Sequence, residues 1–357
     1  MNNQRTYLDI HVIQTLPPSN VNRDDSGSPK TAQYGGVQRA RVSSQAWKMA
    51  IRKYFAENSA VNLGVRTKRL VDYVSNQIVA LDSSIDSEKA KDMAAKVLDA
   101  ANIKTDKNGL AKALFFLGKN QATALAKAAI SGETDKKYLK ECLNDNPDID
   151  IALFGRMVAS DPSLNEDASA QVAHAISTHA VQTEFDYYTA MDDLSSEESQ
   201  GAGMLGTIEY NSQTLYRYAN VAVHELVQQL GSVDNAVEAL KLFVEAFSNS
   251  MPSGKINTFA NATLPQAIMV NIRTDRPVSL VSAFEKPVKS NNGYVEESVS
   301  RLFSELGKSE KFVEKPAFTF YISQVDTKDV PEGKEENSLK GLISDLDSIK
   351  TLIHGEA

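Results

Sequence analysis

Cysteine is almost missing from this chain: one residue, Cys142, occurs among 357. A single thiol excludes an internal disulfide and any multi-cysteine zinc site, and it fits a reducing, cytoplasmic compartment. Long apolar runs are missing as well. None approaches the roughly 18 residues that a helical membrane span needs, and Met1 to Asp9 lacks the basic-then-apolar order of an export signal. Histidine is scarce, at five (His11, His174, His179, His224 and His354). His174 and His179 are five apart, about 140° round a helix, so they do not form the i,i+4 pair of a helical zinc site. A structural role is the simpler reading for each. There is no P-loop, no dinucleotide fingerprint and no G-x-S-x-G elbow. Nothing in the sequence calls for a cofactor.

What is present is a chain that is 42% hydrophobic, enough for a sizeable core. The net charge of −8 hides an asymmetry. Residues 1–53 hold eight basic residues (Arg5, Arg23, Lys30, Arg39, Arg41, Lys48, Arg52, Lys53) against three acids, and the remainder holds thirty against forty-three. A polyanion feels charges within a Debye length, about 8 Å at physiological salt, so the local excess outweighs the total.

Period-two alternation from Tyr7 to Leu16 predicts a half-buried strand, ended by Pro17-Pro18. A long polar loop follows, closed by Gly35-Gly36, where a positive φ or a close approach is expected. A helix then starts at Ser43 as N-cap, with Trp47, Ala50, Ile51, Tyr54 and Phe55 as its apolar side and Lys48 and Arg52 on another face. Residues 56 to 180 read as an Ala-rich helical insertion, with helices expected over Asp86 to Ala101 and Leu110 to Ile130. Strand signals return at Tyr216 to Val223, Gln266 to Arg273 and Phe318 to Ile322. Helices are expected at Glu225 to Ser248, Ser298 to Leu306 and Leu339 to Ile353. The expected fold is therefore α+β, a sheet domain interrupted once. Between Glu184 and Gly206 lie six acids and no Lys or Arg, with Tyr187, Tyr188, Met191, Leu194, Met204 and Leu205 among them. This stretch reads as a protruding hairpin.

Nucleic-acid features are the strongest combination. The start of the Ser43 helix offers backbone N–H groups, the Ser43 and Ser44 hydroxyls and the Gln45 amide to a phosphate. Lys48 and Arg52 continue a positive track, and Arg23, Lys30, Arg39 and Arg41 arrive from the preceding loop. The RNP1 signature is missing, so any RNA is held by its backbone rather than read base by base. The acidic hairpin can act on nucleic acid only through its apolar residues, as a wedge or a stacking surface.

An ordered set of motifs carries a resemblance: Asn22-Arg23-Asp24-Asp25, Lys30, Gly35-Gly36, Arg39-x-Arg41-x-Ser43-Ser44-Gln45, Lys48-x-x-x-Arg52, Asp150-Ile151-Ala152-Leu153, Gly155-Arg156-Met157, Ala173-His174-Ala175-Ile176, Asp192-Asp193-Leu194, Leu205-Gly206-Thr207, Tyr216-Arg217-Tyr218-Ala219-Asn220 and Ala283-Phe284-Glu285-Lys286. Together they resemble the backbone subunits of type I-E CRISPR Cascade complexes. The resemblance implies a modified RNA-recognition (ferredoxin-like) palm from residues 1–55 and 207–357, helical fingers from 56–183 and a thumb from 184–206. It implies a non-enzymatic antiviral subunit that polymerises with further copies of itself along a CRISPR RNA guide and kinks it, leaving short segments to pair with target DNA. Partners would include the large subunit, the small subunit, the 5'-handle-binding subunit and the repeat-processing endoribonuclease. Arg23, Lys30, Arg41, Ser43, Ser44, Gln45, Lys48 and Arg52 would hold guide phosphates. Met157 would pack on a displaced nucleotide, Tyr187, Tyr188, Thr189 and Leu205 would form the thumb contact, and Lys255 would touch the backbone. The family carries a bulkier Trp-Phe pair where this chain has Tyr187-Tyr188. A second reading, a metal-dependent ribonuclease using Asp24, Asp25 or Asp192, stays open, because paired acids can gather a divalent cation.

Overall fold

The computed structural model describes residues 5–190 and 204–354. Strand β1 (Tyr7–Ser19) runs into a polar loop, then a hairpin of β2 (Thr31–Tyr34) and β3 (Val37–Val42), then helix α1 (Ser44–Asn58). Gly35, in the hairpin turn, has φ +60°, and a Cβ there would lie 1.6 Å from the Glu285 carbonyl oxygen. Both reasons for a glycine therefore hold at once. Next come β4 (Val65–Thr67), α2 (Leu70–Leu81), α3 (Ser87–Ala100), β5 (Phe115–Leu117), α4 (Lys119–Ser131), α5 (Lys136–Asn144) and α6 (Ile149–Phe154). Short strands β6 (Ala170–Val172) and β7 (Ala175–Ser177) precede a long ribbon of β8 (Glu184–Ala190) and β9 (Met204–Ala222). The rest is α7 (Val223–Leu230), α8 (Val233–Asn249), α9 (Ile256–Phe259), β10 (Ala267–Arg273), α10 (Val295–Ser309), β11 (Phe318–Ser323), β12 (Lys334–Glu335), α11 (Leu339–Asp345) and α12 (Ile349–His354).

One mixed α+β architecture results, built on a sheet ordered β12-β11-β10-β1-β9-β7-β3-β2. Leu8, Ile10 and Val12 of β1 face a core shared with Trp47, Ile51 and Phe55 of α1 and with α8. Ile13 faces a separate core with Tyr216, Tyr218, Met269 and Phe303, closed by α10 and the segment around Leu280 to Val288. β1 is thus buried on both sides rather than half-buried. Its polar parity, Asp9 and His11, lies under that second layer, fully buried. The Asp9 carboxylate accepts from Tyr218 and from the Val278 N–H, and His11 meets the Tyr216 hydroxyl at 2.9 Å. Burial pushes the Asp9 carboxyl up to about 7 and the His11 imidazole down to about 3.

Some expected boundaries move. A second hydrophobic core gathers residues from Leu70 to Leu164, whereas Ala152 and Leu153 pack in the core of β1, α1 and α8. β6 and β7 pair with β9, so residues 170–177, inside the stretch that reads as a helical insertion, belong to the main sheet. The helix expected from Leu110 starts only at Lys119, because Phe115 to Leu117 pair with β4. The helix expected from Glu225 to Ser248 is two helices, split at left-handed Gly231.

Candidate nucleic-acid interface

Helix α1 starts as its sequence dictates. Ser43 is extended (φ −67°, ψ 149°), and its hydroxyl accepts from the Ala46 N–H. Asn22 Oδ1 accepts the Ser43 N–H at 2.8 Å, so the polar loop and the cap hold each other. The Ser44 N–H is not free: it donates to His174 Nδ1 at 3.1 Å. Arg41 Nη1 lies 3.5 Å from the same nitrogen, and its Nε donates to the Thr31 carbonyl. His174 stands between β6 and β7, exposed, at the head of the helix. Its role at the site escaped the spacing argument, which asked only about helices. The Gln45 side chain is exposed beside it.

One turn on, Lys48 and Arg52 part company. Arg52 is engaged: its Nε donates to Asp150 Oδ2 at 2.9 Å, its Nη2 to the Gly64 carbonyl at 3.0 Å, and its guanidinium stacks on Phe116. Asp150 is fully buried, and its other oxygen takes the Gly64 N–H. Lys48 is half-buried, with its ammonium 5.6 Å from the centre of the Phe154 ring and no carboxylate within 4 Å among the described residues. Burial first, and the neighbouring Arg66 second, lower its pKa. Arg66, exposed on β4 and stacked on the other side of the cluster at Phe116, is a cation the sequence reading missed. Its position depends on β4–β5 pairing across fifty residues. Arg39 leaves the track altogether. It is buried, and its guanidinium donates to the carbonyls of Tyr34, Ser177, Phe284 and Glu285.

The loop from Asn20 to Lys30 is fixed by its own side chains. Asn20 Nδ2 donates to the Gly27 and Glu209 carbonyls, tying the loop to the base of the ribbon. Lys30 is set beside β3 by its N–H to Asn22 and its carbonyl to the Arg41 N–H. Arg23 bridges to Pro29. Lys255 reaches the same neighbourhood. Gly254 packs so tightly that a Cβ would lie 2.3 Å from the Val21 carbonyl oxygen, and Lys255 follows in the left-handed region at φ +50°. A lysine there is strained, a feature that clusters at functional segments.

Met157 is 81% exposed. Behind it, Gly155 takes φ +74° and Arg156 is buried, its guanidinium donating to the Leu164, Phe116 and Leu143 carbonyls and to Gln121 and Asn144. That anchor presents Met157 and Leu114 at the mouth of a cavity of about 520 Å³ in the fingers.

The ribbon pairs Glu184 with Tyr210 through Ala190 with Met204. Alternation places Tyr187 and Thr189 on one face, with Phe185, and Tyr188 on the other. Phe185 and Tyr187 are the more exposed pair, at 65% and 63%. Tyr188 instead lies across Gly206, where a Cβ would come within 2.4 Å of its ring. Leu205 holds the register position opposite Thr189. Tyr187 and Tyr188 are therefore not one surface.

The chain matches the CT1975-like protein family over residues 8–346. It belongs to that family. Its fold is also that of solved chains. One, from a structure described as "CRISPR RNA-guided surveillance complex, pre-nicking", is 31% identical with a TM-score of 0.85, covering 96% of this chain and 99% of that one. A second, described as "CRISPR RNA-guided surveillance complex", is 28% identical with a TM-score of 0.65 over 96% and 99%. No curated protein matches significantly.

In this CT1975-like chain the loop acid Asp24 has structural work. Asp24 Oδ1 accepts from the Ser26 N–H, the Ser26 hydroxyl and the Ser28 N–H, which hold its pKa below the usual carboxylate range. Among the described residues no three His, Cys, Asp or Glu side chains gather into a metal-holding group, and no helix is long and apolar enough to cross a membrane. Asp192 lies outside the described residues.

Proposed function

We propose that this chain is a backbone subunit of a CRISPR RNA-guided surveillance complex, holding the guide by its phosphates without reading its sequence. The observation that carries this reading is Lys48: a half-buried ammonium, opposed by Arg66, with no acid beside it among the described residues. Such a charge is costly unless an anion completes the site. Lys30, Arg41 and Arg23 extend the same positive surface, and among the described residues none has a carboxylate within 4 Å. Ser43, Ser44 and Gln45 stand at its head, and Lys255 at its far end. Arg52 then acts through Asp150 and Gly64, fixing the helix against the fingers.

The order of the inner strands supports an RNA-recognition-like palm. Reading β1, α1, β7, β9, α8 and β10 as strand-helix-strand-strand-helix-strand gives the spatial order β10-β1-β9-β7, antiparallel throughout, as in a ferredoxin-like sheet. The face away from α1 and α8 is covered by α10, so no open aromatic platform exists there for stacked bases. Phosphate gripping is the mode left. In this reading the ribbon is the thumb, Phe185, Tyr187 and Leu205 touch the displaced nucleotide, and Met157 of the fingers packs on it. Copies of the chain tile one guide, and each grip adds an intramolecular contact. Sequence recognition then belongs to pairing with target DNA. We assign the type I-E class on the motif set, with the other Cascade subunits as partners, a cytoplasmic setting and no catalytic role.

The test is RNA binding by the full chain across a salt series, with two single-stranded RNAs of unrelated sequence. Equal affinities and a slope that falls by about 0.7 for each lost phosphate contact in Lys48→Ala are expected. Affinity that follows sequence, or a slope unmoved by the variant, overturns the reading. Cleavage of matched RNA at regular spacing on adding Mg²⁺ would favour the ribonuclease.

A further inference from the structure

His174 is an exposed acceptor at the head of helix α1. Its Nδ1 faces two donors, the Ser44 N–H at 3.1 Å and the Arg41 guanidinium at 3.5 Å. That geometry requires Nδ1 to be unprotonated, with the proton on Nε2. The charged groups that face the ring are Arg41, from β3, and Lys30, from the segment leading into β2, and no carboxylate is among them. Partial burial first, then Arg41 and Lys30, hold the imidazole pKa below its ordinary value.

We propose that His174 is a proton-linked positioning residue for the guide backbone, a neutral cover on the Ser44 N–H that becomes a cationic donor when a phosphate arrives. This rests on the guide-binding reading. A phosphate placed between Arg41 and Lys30 cancels the repulsion that keeps the ring neutral. One proton from solvent then binds Nδ1. The Ser44 N–H to Nδ1 hydrogen bond breaks, the Ser44 N–H turns to a phosphate oxygen, and the imidazolium donates to the same anion. RNA binding therefore takes up a proton at this position. Affinity rises as the pH falls from 8 towards 6, by at most about tenfold per pH unit for one proton. Of the other imidazoles described, His11 and His179 are buried, and His224 sits at the far end of β1 beside Thr6.

The experiment is titration of the full chain with a single-stranded RNA, read by fluorescence anisotropy at several pH values, alongside calorimetry in two buffers of different ionisation enthalpy. In the unmodified protein the expected result is tighter binding at lower pH and net proton uptake. His174→Gln, whose amide oxygen can still accept from Ser44 but cannot titrate, should bind RNA with a flat pH profile and lose the uptake. Lys48→Ala should bind more weakly yet keep it. RNA binding with the expected salt slope but no proton uptake, or uptake unchanged in His174→Gln, overturns this inference and leaves the guide-binding reading standing. Failure to bind RNA at any salt or pH overturns both.

Discussion

The two layers of the sheet handle charge in opposite ways. Beneath α10, Asp9, His11, Tyr216 and Tyr218 are buried and paired mainly within the layer, Tyr218 with Asp9 and Tyr216 with His11 Nδ1, while His11 Nε2 is left without a partner. Around α1, half-buried Lys48, Arg41 and Lys30 and exposed Arg66 have no carboxylate within 4 Å among the described residues. Both sets are polar groups on one scaffold, so polarity alone does not mark a binding surface. The difference is whether the structure itself supplies the counterpart.

The contrast can be broken most strongly at Arg52. Arg52→Ala leaves the Asp150 carboxylate buried and uncompensated, and a loss of about 3–5 kcal/mol of stability is expected in chemical denaturation. Lys48→Ala, four residues away, should leave the denaturation midpoint almost unchanged while weakening RNA binding. Equal stability losses in the two variants would erase the distinction between a paired and an open cation. On the ribbon, Tyr187→Ala should weaken RNA binding by about 1–3 kcal/mol if it stacks on a base. Tyr188→Ala should instead act on the ribbon, by about 0.2–1 kcal/mol through the lost cross-strand packing on Gly206, visible as faster amide exchange near Gly206.

The smallest effect concerns the sealed layer. Asp9, with its pKa raised to about 7, binds more protons folded than unfolded, so its contribution to stability falls as pH rises from about 4 to 7. His11, lowered to about 3, contributes the opposite: stability rises with pH up to its unfolded value near 6.5. The two largely offset each other. His11→Gln removes one side, and thermal denaturation should then show stability declining between pH 4 and 7. A profile identical to the unmodified protein would mean that these groups are not sealed.

Local rules made much of this legible. The Ser43 cap, the apolar side of α1, the alternation of β1 and the need for glycine at Gly35 follow from spacing and sterics a few residues long. What stayed hidden depends on distant pairing. Nothing near Arg52 announces Asp150, nearly a hundred residues on, and nothing near Arg39 announces the four carbonyls around it. Phe115 to Leu117 looked helical because its strand partner is β4, far upstream. His174 was weighed as a helical residue and dismissed, while strand geometry brought it to Ser44. The family motifs named Tyr187 and Tyr188 together, but period two in a ribbon sends neighbours to opposite sides.

Strand β9 is unbroken over nineteen residues, from the ribbon at Met204 to Ala222 beside Tyr7. At about 3.4 Å per residue it is a beam of roughly 60 Å, clamped over half its length against β1. A load applied at the outer end has no joint in which to dissipate. It is delivered as torque to the central strand; were copies to tile one guide as proposed, each would feel its neighbour's strain through that lever.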